Sequence, residues 1–168
     1  MKEKGLDYAG AVREFSGMAY SLAFRTLGNR EDAKDVVQQA FLNLYEHRHE
    51  FQKSKSLKNW IYTITLNAAR DFYRSKKRKN EVPMTEQVET ASNRKRESKV
   101  SDGIYAHEML STLAYDHREA IVLYYLEERS ISEIATLLNI SESLVKVRLH
   151  RARKKLIAEF VKKVPDEL

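Results

Sequence analysis

The stretch SISEIATLLNISESLVKVRLHRARKKL, residues 130–156, contains two helical patterns separated by a very short turn. Ser130 and Glu133 have the spacing of a capping box, which predicts that the first helix begins here. Asn139 can adopt the left-handed conformation that ends a helix, and Ser141 can cap the next one. Two helices joined in this way form a helix-turn-helix, a motif typical of DNA-binding domains.

The second helix of this motif has an apolar face and a basic face. Its apolar residues recur at spacings of i, i+4, i+7 and i+11, and they are Val145, Leu149, Ala152 and Leu156. Residues 146–155 carry six basic side chains and no acidic one. Side chains near the start of such a helix reach base edges in the major groove, and those farther along pair with phosphates. The predicted DNA contacts are Ser141, Lys146, Val147, Arg148, His150, Arg151, Arg153 and Lys154.

The residues predicted to read base edges are Lys146, Val147, His150 and Arg151. Val147 is an apolar residue on a basic face, where a thymine methyl group could cover it. The alternative is a solvated amphipathic helix in a small bundle, with its charges outward for solubility. We favour DNA binding because the short turn, the paired caps and the basic outer face agree with one another.

The composition of the whole chain predicts an all-α fold. Its 168 residues include only two prolines and five glycines, and its apolar residues recur at helical spacing. Residues 80–103 contain no Leu, Ile, Phe or Trp and cannot bury a core. We therefore predict two small helical domains, residues 1–79 and 104–168, joined by a flexible linker at 80–103, with the helix-turn-helix in the second domain.

Composition also excludes several classes of protein. The net charge of +6 and the pI of about 9.4 favour association with polyanions. The absence of cysteine excludes a disulfide framework, a thiolate zinc site and a cysteine nucleophile. No apolar run approaches the roughly 18 residues that a membrane span needs, so we expect no membrane insertion and a cytoplasmic protein.

The first domain is predicted to contain three helices. Their expected ranges are residues 8–27, 30–47 and 57–78. Gly28 is expected to end the first helix, Asn29 to cap the second and Ser56 to cap the third.

The third helix carries an unusual stripe of side chains. At spacings of three and four residues it presents Trp60, Thr63, Asn67, Arg70 and Arg74. An aromatic ring can stack on a base, an amide can bind a base edge, and guanidinium groups follow phosphates, so this stripe suits unpaired nucleic acid. A buried Trp and a basic last turn that complements the helix dipole explain the same residues equally well.

Three parts of the sequence together resemble the extracytoplasmic-function class of bacterial sigma factors. They are EDAKDVVQQAFLNLYEH at residues 31–47, SLKNWIYTITLNAARDFYR at 56–74 and, after the polar linker, the helix-turn-helix with VKVRLHRARKKL at 145–156. The resemblance implies that the two domains correspond to sigma regions 2 and 4. It also implies a protein without a cofactor that binds core RNA polymerase, recognises two promoter elements and helps to melt the minus-ten element. An anti-sigma factor is a further expected partner.

The resemblance assigns residues to each of these roles. It places polymerase contacts on the second helix, at Asp35, Gln38, Gln39 and Leu42. It implies that the loop 51–57 forms a pocket for a flipped minus-ten base near Asn67. The minus-ten set is Phe51, Ser54, Lys55, Ser56, Trp60, Thr63, Asn67, Arg70 and Arg74. The second helix of the helix-turn-helix would read the minus-thirty-five element, and the linker would follow the RNA exit path.

Two other classes of protein are considered. A helix-turn-helix regulator would bind duplex DNA without polymerase and would give the stripe of the third helix no role. An enzyme would need a site such as a metal held by Asp32 and Asp35, but carboxylates that complement a helix N-terminus are the simpler explanation. His47 and His49 lack a third ligand nearby in the sequence, so we expect no metal site and no catalytic residue.

Overall fold

The computed structural model of the chain describes residues 5–52, 55–81 and 102–163. The helices are α1 (Tyr8–Leu27), α2 (Arg30–Glu46), α3 (Leu57–Glu81), α4 (Asp102–Ser111), α5 (Tyr115–Ile121), α6 (Ile131–Leu138) and α7 (Glu142–Lys163). A 3₁₀ turn follows α2 at Arg48–Glu50, and a π-helical segment continues α5 over Val122–Leu126. These described ranges contain no strand, which confirms the predicted all-α class.

The predicted linker at 80–103 lies mostly outside the described residues. Only its margins are described, where residues 80–81 end α3 and residues 102–103 begin α4. The division of the chain at these positions therefore remains a prediction.

The ends of the first helices follow the local sequence. Gly28 adopts φ 78°, in the left-handed region that favours glycine, and its N–H donates to the carbonyl of Phe24. The Asn29 side chain accepts hydrogen bonds from the N–H groups of Glu31 and Asp32. The Ser56 hydroxyl accepts from the N–H of Asn59 at 3.3 Å. All three predicted end signals are confirmed.

The first three helices pack against one another through apolar faces. Small side chains at their contacts allow close approach, and they are Ala19, Ala23, Ala33, Ala40 and Ala69. Larger side chains complete this core, namely Val36, Phe41, Leu44 and Ile61. On this side of α3, Ile61 and Ala68 are buried and Leu57 and Ile64 are half-buried.

Helix α3 is also buried on a second face, which the sequence did not predict. Tyr62 and Leu66 of α3 are fully buried in one apolar cluster with Leu113, Ile121 and Leu123 of the second domain. The two domains therefore pack directly against each other in this structure.

The helix-turn-helix forms as predicted. The Ser130 hydroxyl accepts from the N–H of Glu133 while the Glu133 carboxylate accepts from the N–H of Ser130, so the capping box is complete. Asn139 ends α6 with φ 53° and ψ 48°, and the Ser141 hydroxyl caps α7 by accepting from Leu144 N–H at 3.1 Å. Val145 begins the apolar stripe that holds α7 on the domain.

Loss of the capping box should destabilise the helix-turn-helix. We expect Ser130→Ala to lower the free energy of unfolding by about 1 kcal/mol, because the Glu133 N–H loses its acceptor. Urea unfolding followed by circular dichroism would measure the change. Ser132→Ala is the matched control, since Ser132 is exposed within the same helix. Equal effects of the two substitutions would contradict the role of the cap.

Candidate nucleic-acid interface

The start of α3 forms an aromatic platform with the residue that follows the 3₁₀ turn. The rings of Phe51 and Trp60 stack with their centroids 5.5 Å apart and an interplanar angle of 16°. Both side chains are half-buried, and Trp60 packs against the cluster that contains Leu44 and Ile61. Trp60 thus contributes to the core and remains partly exposed, which is compatible with the predicted stacking on a base.

The predicted loop residues near this platform are only partly described. Lys55 and Ser56 are exposed beside the start of α3. Ser54 lies outside the described residues.

The stripe along α3 continues from the platform as one surface. Asn67 and Arg74 are exposed, and the half-buried Thr63 donates its hydroxyl to the carbonyl of Asn59 at 2.9 Å. Arg70 differs from its neighbours, because its side chain is only 16% exposed and its Nη2 lies 3.1 Å from Oε1 of Glu119. Four of the five stripe residues therefore remain accessible, and the fifth pairs with the second domain.

The C-terminal end of the stripe is strongly basic. Asp71, Arg74, Lys77 and Arg78 line a polar surface cavity of about 500 Å³ on α3. Three of these four side chains are cationic, so the end of α3 favours an anionic ligand such as a phosphate backbone.

The outer face of α2 carries the predicted polymerase contacts. Asp35, Gln38, Gln39 and Leu42 are all exposed, and Leu42 retains 49% of its accessible surface. Gln39 donates from its amide to the Asn43 side chain at 2.9 Å. Uncharged polar groups around an exposed leucine suit contact with a protein more than contact with phosphates.

Sequence reasoning missed Tyr45, which extends this α2 surface. Tyr45 lies one turn after Leu42 and is 47% exposed. The Arg48 guanidinium lies 3.9 Å from its ring centroid, and Tyr8 contacts it edge-on at 5.1 Å. The spacing of three residues from Leu42 was the signal that could have identified it.

Two of the residues considered for a metal site, Asp32 and His47, have other partners. Asp32 accepts a hydrogen bond from Lys76 Nζ at 2.6 Å. His47 Nδ1 lies 2.9 Å from Oε1 of Glu50, and this hydrogen bond raises the pKa of His47. Within residues 5–52, 55–81 and 102–163, no three His, Asp or Glu side chains gather as metal ligands would.

Helix α7 presents most of its predicted DNA contacts to solvent. Lys146, Val147, His150, Arg151 and Lys154 are exposed, and Val147 retains 41% of its accessible surface. Leu144, which the sequence analysis did not select, is 40% exposed one turn before Val147. The N-terminal part of the helix therefore shows two apolar side chains among cations.

Two arginines of α7 are partly engaged within their own domain. Arg148 Nη2 lies 3.3 Å from Oδ2 of Asp116, and this side chain is mostly covered. Arg153 Nε donates to the Tyr125 hydroxyl at 2.7 Å, and its guanidinium lies 5.7 Å from the Tyr125 ring centroid. Arg148 is thus covered by comparison with the exposed Lys146, Arg151 and Lys154, whereas Arg153 is exposed and hydrogen-bonded.

Comparison with known proteins assigns both domains. Sigma-70 region 2 matches residues 11–79, and sigma-70 region 4 matches residues 104–156. ECF RNA polymerase sigma factor SigW of Bacillus subtilis is 31% identical over 166 residues, covering 89% of this chain and 86% of SigW. SigM of the same organism is 33% identical over 139 residues, covering 80% of this chain and 83% of SigM.

Solved structures show the same fold. The sigma factor RpoE in complex with the anti-sigma factor NepR from Bartonella quintana is 22% identical, with a TM-score of 0.72 over 94% of this chain and 98% of RpoE. CnrH in complex with the cytosolic domain of CnrY is 25% identical, with a TM-score of 0.63 over 94% of this chain and 89% of CnrH.

The chain therefore belongs to the extracytoplasmic-function class of the sigma-70 family of RNA polymerase sigma factors. This confirms the resemblance stated from the sequence and favours a sigma factor over a regulator that acts without polymerase. Among the residues that the structure describes, no helix is long and apolar enough to cross a membrane.

Proposed function

We propose that this chain brings core RNA polymerase to promoters, holds the opened minus-ten strand with residues 1–79 and reads the minus-thirty-five element with residues 104–168. The observation that carries this proposal is that one chain has two different surfaces whose chemistry suits nucleic acid. One is an aromatic and cationic stripe that suits unpaired bases, and the other is a helix-turn-helix that suits the major groove. A regulator of duplex DNA would need only the second surface.

Polymerase binding is assigned to the outer face of α2. Asp35, Gln38, Gln39 and Leu42 form this face, and Tyr45 extends it. The exposed Leu42 and Tyr45 supply the apolar contact, and the surrounding polar groups supply orientation. No phosphate-binding cluster lies among these four predicted contacts, so a protein is the partner that their chemistry fits.

Strand opening is assigned to the start and middle of α3. A base that leaves the duplex costs a few kcal/mol in lost stacking and pairing. The partly exposed Trp60 ring, supported by Phe51, offers a new stacking surface, and Asn67 offers an amide to a base edge. Arg70 and Arg74 are assigned to phosphates of the same strand. Opening by this route needs binding alone, so we propose that the chain acts without catalysis.

Duplex recognition is assigned to α7. Lys146, Val147, His150 and Arg151 lie on its exposed face near the N-terminal end, where side chains reach base edges. Arg153 and Lys154 are assigned to phosphates, and Arg148 and Ser141 to positioning of the helix on the DNA.

Substitutions on α7 should separate base contacts from phosphate contacts. We expect Lys154→Ala to weaken binding to all promoters, because one phosphate contact is lost. The slope of log affinity against log salt concentration should become less steep by about one. Lys146→Ala should instead weaken binding mainly to the preferred minus-thirty-five sequence. Promoter binding by holoenzyme at several salt concentrations would measure both, with Lys162→Ala as a charge-matched control near the end of α7. A sequence-selective effect at Lys154 would reverse the assignment.

Regulation by an anti-sigma factor is part of the proposal. RpoE and CnrH were each solved with a second protein, named for RpoE as an anti-sigma factor. We propose a comparable inhibitor for this chain. We also propose that it acts in the cytoplasm, because its proposed partner polymerase transcribes the chromosome there.

Transcription from a mixed promoter library tests the proposed function directly. Purified core polymerase would be assayed with and without this chain, and the transcripts would be sequenced. We expect a small set of promoters to be transcribed only when the chain is present. Equal transcription from every template in both reactions would refute the proposal.

A further inference from the structure

Two apolar side chains lie on the exposed face of α7. Leu144 is 40% exposed and Val147 is 41% exposed. Their neighbours Val145 and Leu149 are buried and attach the helix to its domain. Neither Leu144 nor Val147 belongs to an apolar cluster of the described residues. The core of the domain therefore does not account for them.

The two side chains form one patch at the start of the helix. Helix α7 begins at Glu142, so Leu144 and Val147 lie within its first two turns. Residues three apart on a helix are neighbours, with Cβ atoms about 5–6 Å from each other. The Leu144 N–H donates to the Ser141 hydroxyl at 3.1 Å, and this cap holds the first turn in place. In a helix-turn-helix, the start of the second helix is the part that contacts base edges.

Polar and cationic side chains lie beside the patch. Those exposed within two turns of Val147 are Ser143, Lys146, His150 and Arg151. Lysine is depleted in protein–protein interfaces, so this setting does not favour an apolar protein partner. Phosphates flank a DNA groove, where they can pair with the cations while base edges lie against the patch. The charge around the patch therefore favours duplex DNA.

Thymine is the base whose major-groove edge matches an apolar side chain. It presents a C5-methyl group there, whereas the other three bases present hydrogen-bond donors and acceptors. Leu144 and Val147 have no polar side-chain atom, so they cannot satisfy those donors and acceptors. A methyl group that lies against either side chain is removed from water, which is favourable.

The spacing of the pair sets the distance between the thymines. Successive base pairs of one strand are about 3.4 Å apart, and the two Cβ atoms are separated by about 5–6 Å. One methyl group is too small to cover both side chains. The pair therefore suits methyl groups on adjacent or alternate base pairs.

We propose that Leu144 and Val147 read thymine methyl groups, so that the preferred minus-thirty-five element carries two thymines on adjacent or alternate base pairs. This inference rests on the duplex recognition proposed above for α7. It adds Leu144 to the reading residues and specifies the base and the atom that the apolar patch selects.

Replacement of thymine by uracil tests the contact, because uracil lacks only the C5-methyl group. Holoenzyme would first select its preferred minus-thirty-five element from duplexes randomised over that element. Each thymine of the selected element would then be replaced by deoxyuridine, one at a time, and holoenzyme binding would be measured. We expect binding to weaken about fourfold at each of two thymines, the effect of exposing one apolar carbon group. Equal binding to the thymine and uracil duplexes would overturn the proposal.

Substitution of the two side chains connects the loss to the patch. Both positions are exposed, so alanine leaves the core intact. Val147→Ala and Leu144→Ala should each weaken binding to the thymine duplex and lose most of the preference for thymine over uracil at one position. Ser143→Ala is the matched control, because Ser143 is exposed in the same turn, and it should keep both preferences. Preferences that persist at both positions in the Leu144→Ala/Val147→Ala protein would contradict the assignment.

Two further results separate this inference from the function on which it rests. If the alanine substitutions weaken binding equally on thymine and uracil duplexes, the patch contacts protein, and the methyl contacts are refuted while the sigma function stands. If wild-type holoenzyme selects no minus-thirty-five sequence at all, the duplex recognition proposed for α7 is refuted, and the methyl contacts with it.

Discussion

Replacing Trp60 with alanine is expected to reduce promoter opening by roughly 5- to 150-fold, because stacking of one base on an aromatic side chain contributes about 1–3 kcal/mol. The Phe51 ring would lose its stacking partner at the same time. Permanganate reactivity of minus-ten thymines would report the opening. Binding to core polymerase should not change, since the predicted polymerase contacts lie on α2.

The half-buried position of Trp60 requires a control for folding. Trp60→Phe keeps an aromatic ring against the Leu44 and Ile61 cluster and should retain most of the opening. Asn67→Ala provides an independent test, because Asn67 is exposed on α3 and its loss leaves the core intact. If thymine reactivity stays at the wild-type level in both Trp60→Ala and Asn67→Ala, α3 does not act in promoter opening.

The helix-turn-helix could be predicted from sequence because every signal that defines it is local. The capping box, the left-handed Asn139 and the Ser141 cap each act within four residues, and the apolar stripe of α7 repeats within a single helix. The structure confirms all of these features. The caps at Gly28 and Asn29 were predictable for the same reason.

The second buried face of α3 could not be predicted in the same way. Tyr62, Leu66, Ala69 and Tyr73 recur at spacings of four, three and four, which is a helical stripe. One helix with two apolar stripes needs two partners, and periodicity alone does not identify the second. The ion pair of Arg70 with Glu119 joins residues 49 positions apart, so no local pattern reveals it. Arg70 was therefore assigned only to the nucleic-acid stripe.

Charge patterns also did not show which cations of α7 have partners within their own domain. Arg148 and Arg153 were predicted as DNA contacts because of their sequence neighbours alone. The structure brings Asp116 to Arg148 and Tyr125 to Arg153 from other helical segments of the same domain. Conversely, Tyr45 and Leu144 were not selected from the sequence, although both are exposed. Both lie one turn from a residue that was selected.

Glu119 is the buried group whose protonation should control the stability of the docked arrangement. Burial raises its pKa, and the facing cations Arg70 of α3 and Arg148 of α7 oppose this increase, while Asp116 of α5 adds to it. In the unfolded chain the carboxyl ionises at its ordinary pKa, but in the folded chain it keeps its proton to higher pH. Its contribution to stability is therefore complete at acidic pH and is lost as the pH rises through the folded pKa.

Glu119→Gln should for this reason gain stability relative to wild type as the pH rises from about 4 to about 8, because the amide never ionises in its buried site. Urea unfolding at each pH would measure the difference, with Glu142→Gln as a control at an exposed position. Arg70→Ala should act in the opposite direction and destabilise the protein at neutral pH by up to about 3–5 kcal/mol, because it leaves a buried carboxylate without its cation. The stability of wild type could instead increase relative to that of Glu119→Gln as the pH rises. In that case the attraction of Arg70 for the Glu119 carboxylate outweighs the cost of burying the carboxylate. The ion pair would then stabilise the contact between α3 and α5 at neutral pH.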